Sequence, residues 1–150
     1  MATYSFLDCN AAINGPGGSV NLAAGAAAAT EGITIAAVGD KSTMAVGAGG
    51  QGQHSLLASE ASTVTVNLLK TSPVNALLMQ MYNYQTTSST LHGKNTMVVT
   101  DLARGDIITL QQVAFKKAPD LAYASEAGNN VWTFDAIRTD RVLGIGTPEL

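Results

Sequence analysis

Residues 63–84 constrain the fold most, because a strand pattern there runs directly into a helix pattern. Over 63–68 apolar and polar side chains alternate, which predicts a strand with one buried face. Ser72 and Pro73 are typical of a helix N-terminus, since the hydroxyl can accept a free backbone N–H and proline needs none there. We therefore predict a helix over 72–84, whose apolar stripe consists of Val74, Leu77, Leu78, Met81 and Tyr82.

The rest of the chain favours short strands separated by glycine-rich and polar turns. We expect strands at 4–13, 19–22, 32–38, 43–46, 63–68, 96–101, 106–116 and 131–138, with Trp132, Phe134 and Ala136 on one face of the last. The turn at 39–42 predicts a hairpin of 32–38 with 43–46, and the turn at 126–130 predicts one of 120–124 with 131–138. The Ala-rich stretch 22–30 is interrupted by Gly25, which favours a loop or a short helical turn.

These patterns predict one mainly β domain over residues 1–150. We expect a β-sandwich or small barrel of antiparallel sheets with one flanking α-helix, and a loose C-terminal tail over 144–150.

Charged residues make up 13% of the 150-residue chain, about half of the ~25% of an average protein. A surface so poor in charge suits a protein that is covered by other copies of itself. The net charge of −3 argues against a protein that grips nucleic-acid phosphates, and Lys116-Lys117 reads as a solvated turn. The N-terminus lacks a signal-peptide pattern and the chain lacks a spanning stretch, so we expect a cytoplasmic product and no membrane insertion.

Motifs that would carry chemistry are not visible in the sequence. The glycine-rich stretch 47–52 lacks the Gly-Lys-Ser/Thr of a phosphate-binding loop. His54 and His92 stand without a carboxylate or cysteine at metal-ligand spacing, and Cys9, the single cysteine, reads as a small buried or half-buried side chain. Asp101 and Asp106 flank a turn and are expected to bond its backbone. We predict no catalytic, cofactor or metal site, and we interpret Arg104-Gly105-Asp106 as a chance adhesion tripeptide.

Several runs of the sequence resemble a known family. These runs are 32–35, 40–44, 52–56, 66–75, 81–83, 103–106, 112–120 and 132–137. The most specific are Lys-Thr-Ser-Pro-Val-Asn at 70–75 and Ala-Phe-Lys-Lys-Ala-Pro-Asp at 114–120. The chain resembles the tail tube (inner tube) proteins of contractile-tailed bacteriophages, most strongly over 31–143.

The resemblance implies a virion protein that is assembled in the host cytoplasm. Six copies would form a ring whose inner sheets join into a continuous barrel, and rings would stack into a hollow tube. The implied partners are further copies, the tail sheath protein, the tape measure protein, the baseplate hub and the tail terminator. Double-stranded DNA would pass through without specific binding, and no cofactor is implied. This agrees with the residues themselves, because a ring would complete exposed strand edges.

Two flexible loops are our candidates for contacts between rings or subunits, because polar loops can become ordered against a partner. The predicted interface residues are Gly39, Asp40, Lys41, Ser42, Gly47, Gly49, Gly50, Gln51 and Gly52. Solvated turns are an equally open interpretation of both loops.

Two other functions remain open at this point. One is a related ring-forming component of an injection machine, such as a secretion-system tube-like protein or a tail terminator. The other is a small β-barrel enzyme or ligand binder, which would need a pocket with convergent polar groups.

Overall fold

A computed structural model describes residues 2–23 and 28–146 of the chain. Within them, a 3₁₀ turn at Phe6–Asp8 precedes nine strands and one α-helix. The strands are β1 (Cys9–Gly15), β2 (Gly18–Asn21), β3 (Ala28–Ala37), β4 (Ser42–Val46), β5 (Gly52–Leu56), β6 (Ser62–Leu69), β7 (Asn95–Asp101), β8 (Asp106–Lys117) and β9 (Asn129–Val142). The helix α1 (Val74–Gln85) lies between β6 and β7.

Seven strands form one antiparallel sheet in the order β2-β1-β7-β8-β9-β6-β3. Strands β4 and β5 form a second, two-stranded sheet. The prediction of a mainly β fold of antiparallel sheets with one flanking helix is confirmed. Because β2 and β3 are the two ends of the strand order, the large sheet has two edges within the described residues.

The core is built largely on the neighbouring strands β6 and β9. Val64, Val66 and Leu68 alternate along β6 and are fully buried, as the sequence pattern predicts. Register places Val64 opposite Phe134 and Val66 opposite Trp132, and both aromatic side chains are buried. Burial of side chains of this size stabilises the fold by about 1.5–3 kcal/mol each, so this strand pair is a major source of stability.

The helix begins at Val74, two residues after the predicted start at residue 72. The Ser72 hydroxyl accepts a hydrogen bond from the backbone N–H of Val74 at 3.2 Å, and Pro73 already has the helical angles φ −67° and ψ −17°. The predicted apolar stripe needs correction, because Leu77 is 47% exposed and Tyr82 is half-buried. The buried stripe is Val74, Leu78, Met81 and Gln85.

Strand β8 changes face in its middle. Leu110 and Val113 are both fully buried, although residues three apart in a regular strand point to opposite sides. A register shift against β7 lies between them, and Gln112 has φ +55°, a left-handed conformation that is uncommon for residues other than glycine. This β-bulge lets both halves of a long strand bury apolar side chains, and bulges of this kind bend a sheet.

The predicted hairpin of 32–38 with 43–46 is wrong. Strand β3 pairs with β6, and β4 pairs with β5. The register places Ile33 opposite Val66 and Ile35 opposite Val64. Both isoleucines thereby pack against the core, which a hairpin with the exposed strand β4 would not allow.

The predicted hairpin of 120–124 with 131–138 is also wrong. Residues 118–128 form no strand, and β9 lies between β8 and β6 in the middle of the sheet. This position surrounds Trp132 and Phe134 with core residues on both sides. The predicted face of Trp132, Phe134 and Ala136 is confirmed, since all three are buried.

The ends of the chain differ from their predictions in smaller ways. The first strand begins at Cys9, because residues 6–8 form the 3₁₀ turn, in which Ser5 Oγ accepts the N–H of Leu7 at 3.2 Å. In the Ala-rich stretch, residues 24–27 lie outside the described residues, whereas 28–30 belong to β3. After β9 residues 143–146 have no regular structure, and 147–150 lie outside the described part of the chain.

Candidate subunit interface

The hairpin of β4 and β5 stands apart from the core. Every residue from 38 to 60 is exposed, and the two strands pair with each other, from Ser42 opposite Leu56 to Val46 opposite Gly52. A two-stranded hairpin is at best marginally stable in water without further packing. The hairpin therefore needs a covering surface that the described part of this chain does not supply.

The two faces of this hairpin differ in polarity. Met44 lies opposite His54. Val46, at the tip, and Leu56, at the base, lie on the same face by the alternation of side chains along each strand. Met44, Val46 and Leu56 are 68%, 61% and 82% exposed. The other face carries Thr43, Ala45, Gln53 and Ser55. We call the face of Met44, Val46 and Leu56 the apolar hairpin face. Its exposed apolar side chains suit burial against a partner.

The predicted interface residues fall at opposite ends of the hairpin. Gly39, Asp40 and Lys41 lie at its base and Ser42 is the first residue of β4. Gly47, Gly49, Gly50 and Gln51 form its tip and Gly52 is the first residue of β5. Five residues of strand separate the two groups by about 17 Å, so the structure does not bring them together into one site.

Hydrogen bonds hold the base of the hairpin. The Leu57 N–H donates to the Lys41 carbonyl at 2.8 Å, and the Lys41 ammonium donates to the Ser59 carbonyl at 3.1 Å. The N–H of Val38 donates to the carbonyl of Ala61 at 3.1 Å. These bonds fix the direction in which the hairpin leaves the sheet.

The tip is a tight turn. The Gly47 N–H donates to the Gln51 carbonyl at 2.7 Å, and the Gly50 N–H donates to the Gly47 carbonyl at 3.0 Å. Gly50 has φ +85°, which glycine adopts without steric cost. The glycine-rich stretch therefore turns the chain between two strands.

The residues of the apolar hairpin face were not predicted from the sequence. His54 lies in β5, where the sequence predicted no strand. The alternation of Met44 and Val46 with small residues could have indicated an amphipathic strand. The stretch 52–56 gives no such signal, because Gly52, Gln53 and His54 are not typical strand residues.

The candidate groups for chemistry remain dispersed. His54 and His92 are both exposed, and residues 2–23 and 28–146 contain no group of three or more His, Cys, Asp or Glu that could hold a metal ion. Cys9 is half-buried, as predicted, and its Sγ lies 3.7 Å from the Tyr4 hydroxyl. This hydrogen bond, with a smaller effect of burial, raises the pKa of Tyr4 above its usual value.

The acidic turn residues have structural partners. Asp101 accepts from the Arg104 guanidinium at 2.9 Å and from the Arg104 backbone N–H at 3.4 Å, which confirms its role in the turn. Asp106 instead accepts from the backbone N–H of Gly144 at 2.9 Å. Arg104 also donates to the carbonyl of Thr3 at 2.7 Å. The Arg-Gly-Asp tripeptide is thus engaged within the subunit.

A model of the bacteriophage PhiTE tail tube protein family matches residues 1–144. The chain belongs to this tail tube family. As a member, it has a structural role in a phage tail tube and is a component of the virion. The resemblance to tail tube proteins is thereby confirmed. No curated protein matches the chain.

Two solved structures share the fold at low sequence identity. The tube-terminating cap of the anti-feeding prophage is 12% identical with a TM-score of 0.53, over 96% of this chain and 95% of that chain. A chain of the sheath–tube complex of an extracellular contractile injection system, in its extended state, is 9% identical with a TM-score of 0.54, over 89% and 88%. This tail tube subunit therefore has the fold found in contractile injection systems.

No helix in the described ranges is long and apolar enough to cross a membrane.

Proposed function

We propose that this tail tube subunit assembles into hexameric rings that stack into the inner tube of a contractile phage tail. The observation that carries the proposal is the projecting amphipathic hairpin, whose apolar face no other described element covers. A subunit that exposes such a face is stabilised when another copy buries it.

The edges of the large sheet support the same proposal. Strands β2 and β3 stand at opposite ends of the sheet order, each with one neighbour. Unpaired strand edges are templates for association with another chain. In a ring, the edge of one copy would pair with that of the next, so that six sheets join into one closed barrel.

We assign the contacts between rings or subunits to the hairpin. The predicted interface residues lie at its base and at its tip. Because these sites are about 17 Å apart, they would contact either the same neighbouring copy or two different ones. The apolar hairpin face between them would supply the buried area. The whole chain, 1–150, would act as a single tube domain.

Membership of the tail tube family supports a set of partners among the other proteins of the tail. We propose that the sheath protein surrounds the tube, the tape measure protein fills it during assembly, and the baseplate hub and tail terminator close its ends. Assembly would occur in the host cytoplasm. Six subunits of net charge −3 would give an acidic ring, and fixed negative charge disfavours adhesion to DNA phosphates during passage. The proposal assigns the chain no catalytic role and no cofactor.

Negative-stain electron microscopy of the purified full-length protein tests the proposal. We expect six-fold rings in face views and hollow filaments in side views, at increasing fractions as the protein concentration rises. Sedimentation velocity of the same samples should show species heavier than the monomer. A monomer at every concentration in near-physiological buffer would contradict the proposal.

A tail terminator or another single-ring component is the second candidate. The observation that favours it is the shared fold with a tube-terminating cap over nearly the whole chain. The same images separate the two, because a terminator is expected to give rings that do not stack.

A further inference from the structure

Three lysines without a partner lie near one another on the surface. Of the eight lysines and arginines of the chain, five bond to groups within it. These are Lys41 with Ser59, Lys70 with Ala122, Arg104 with Asp101, Arg138 with Glu60, and Arg141 with Ser62. Lys94, Lys116 and Lys117 have no hydrogen bond or ion pair with any residue that the structure describes. Three positive charges without a bonding partner among the described residues thus lie in one region of a chain of net charge −3.

The fold brings these lysines together from distant parts of the sequence. Lys94 directly precedes β7, and the pairing of Asn95 with Val113 places it beside the C-terminal half of β8. That half ends in Lys116 and Lys117. Antiparallel pairing of β7 and β8 therefore creates the cluster.

Lys94 and Lys116 line a groove of about 600 Å³. The loop 92–94, β8 and β9 line it, and Ala114 and Ile137 contribute apolar surface. We call this the lysine groove. It differs from the hairpin surface described above, with which it shares no lining residue.

Irregularities of β8 direct side chains into the lysine groove. The bulge residue Gln112 lines it, and so does Lys116, which lies at a second register shift, between Phe115 and Lys117 against β9. Bulges re-aim side chains that regular alternation would place elsewhere. Lys117 does not line the groove. At the second register shift, therefore, Lys116 lines the groove and its neighbour Lys117 does not.

We propose that the lysine groove binds an acidic segment of a partner protein. The two lysines would pair with carboxylates, and the apolar surface from Ala114 and Ile137 would contact aliphatic side chains between them. Protein–protein interfaces typically have an apolar centre and a polar or charged margin, as the lysine groove does.

Charge favours a protein segment over a nucleic acid as the occupant. Duplex DNA carries one negative charge per about 1.7 Å, so it would run beyond the groove along a subunit whose net charge is −3. Asp135 also lines the groove and accepts a hydrogen bond from the Thr63 hydroxyl at 3.2 Å, which interrupts the positive surface. A short acidic segment can place its carboxylates beside the lysines and avoid Asp135.

Fluorescence polarisation with the full-length protein tests the proposal. The probe is a labelled peptide of alternating glutamate and leucine, compared with a lysine–leucine peptide and a short DNA duplex. At about 0.15 M salt, where the Debye length is about 8 Å, we expect the acidic peptide to bind and the other two not to bind. Lys116→Glu should weaken binding at least about fivefold, and Lys94→Glu with Lys116→Glu at least about tenfold.

Lys117→Glu is the matched control, because it makes the same change of charge one residue away but outside the groove. We expect it to weaken binding by less than about twofold. Circular dichroism and thermal unfolding establish that each variant is folded. Equal losses for Lys116→Glu and Lys117→Glu, binding of the DNA duplex in place of the peptide, or no binding of the acidic peptide would each overturn the proposal. The assay does not require tubes, so its outcome is separate from that of the assembly experiment.

Discussion

Gln85 and Asn95 exchange two hydrogen bonds, each 2.7 Å long, inside the core. Gln85 is the last residue of α1 and Asn95 the first of β7, and their side chains are 1% and 0% exposed. The Gln85 amide also donates to the Pro16 carbonyl at 2.8 Å. This network ties the helix end, the start of β7 and the turn between β1 and β2 to one another. Its amides are well satisfied, so removal of one partner is costly.

We expect Gln85→Met and Asn95→Leu each to lower the free energy of unfolding by about 1–3 kcal/mol, because each leaves a buried amide without its partner. The double variant should lose less than the sum of the two, since both amides are then absent. Urea unfolding at a concentration where the chain is unassembled measures this. Strictly additive losses would contradict the reciprocal pair.

Gly15→Ala should also disturb this network. A Cβ at Gly15 would overlap the Asn95 side-chain amide, so the amide must move away from Gln85. We expect a loss of about 1–3 kcal/mol, the usual cost of overpacking. Gly128→Ala is the control, because a Cβ there meets no atom within 4 Å. A loss no larger than that of the control would show that the Asn95 amide does not need its present position.

Met44→Asp should prevent or strongly reduce assembly and leave the unfolding of the single subunit almost unchanged. Met44 is exposed in the subunit, whereas in our proposal a neighbouring copy buries it, and an unpaired carboxylate is costly to bury. Thr43→Asp places the same charge on the other face of the hairpin and should assemble. Electron microscopy and sedimentation velocity measure both variants. Normal tubes from Met44→Asp, or equal defects in both, would argue against the apolar hairpin face as the contact.

Because Gln112 lies in a bulge, we expect a glycine substitution there to be more stable than a valine substitution, the reverse of the usual order in a strand. Gln112→Gly should preserve stability or raise it by up to about 1 kcal/mol, because glycine adopts φ +55° without strain. Gln112→Val should lower it by about 1–2 kcal/mol, since a β-branched residue is disfavoured in the left-handed region. Thermal unfolding compares the two. A valine variant as stable as the glycine variant would mean that the bulge relaxes into regular strand.

Local pattern predicted much of this fold. The alternation along β6 correctly predicted that Val64, Val66 and Leu68 are buried, and the Ser72 hydroxyl accepts a backbone N–H of the first helical turn as expected. The buried face of Trp132, Phe134 and Ala136 was also predictable. These features depend on side-chain period and on capping groups close in sequence, so a short window of residues contains the information.

The sequence predicted the two loops of the candidate interface but not the strand face that lies between them. Glycine content marked the turns at 39–42 and 47–52, whereas the pairing of Met44 with His54 that defines the apolar hairpin face depends on the register of two strands. Whether those loops contact another copy stays a prediction.

Residue pattern and composition alone indicated which residues are buried, where most strands and the helix lie, and that the surface is poor in charge. The complete fold set the strand pairing, because β3 and β9 pair with strands distant in sequence that share their core: β3 pairs with β6, and β9 lies between β8 and β6. It also decided that Gln85 is buried against Asn95 and that Gln112 turns β8 over. These pairings and side-chain positions minimise the unsatisfied polar groups and the exposed apolar area of the whole molecule. They depend on contacts between residues distant in sequence, so no short window of sequence predicts them.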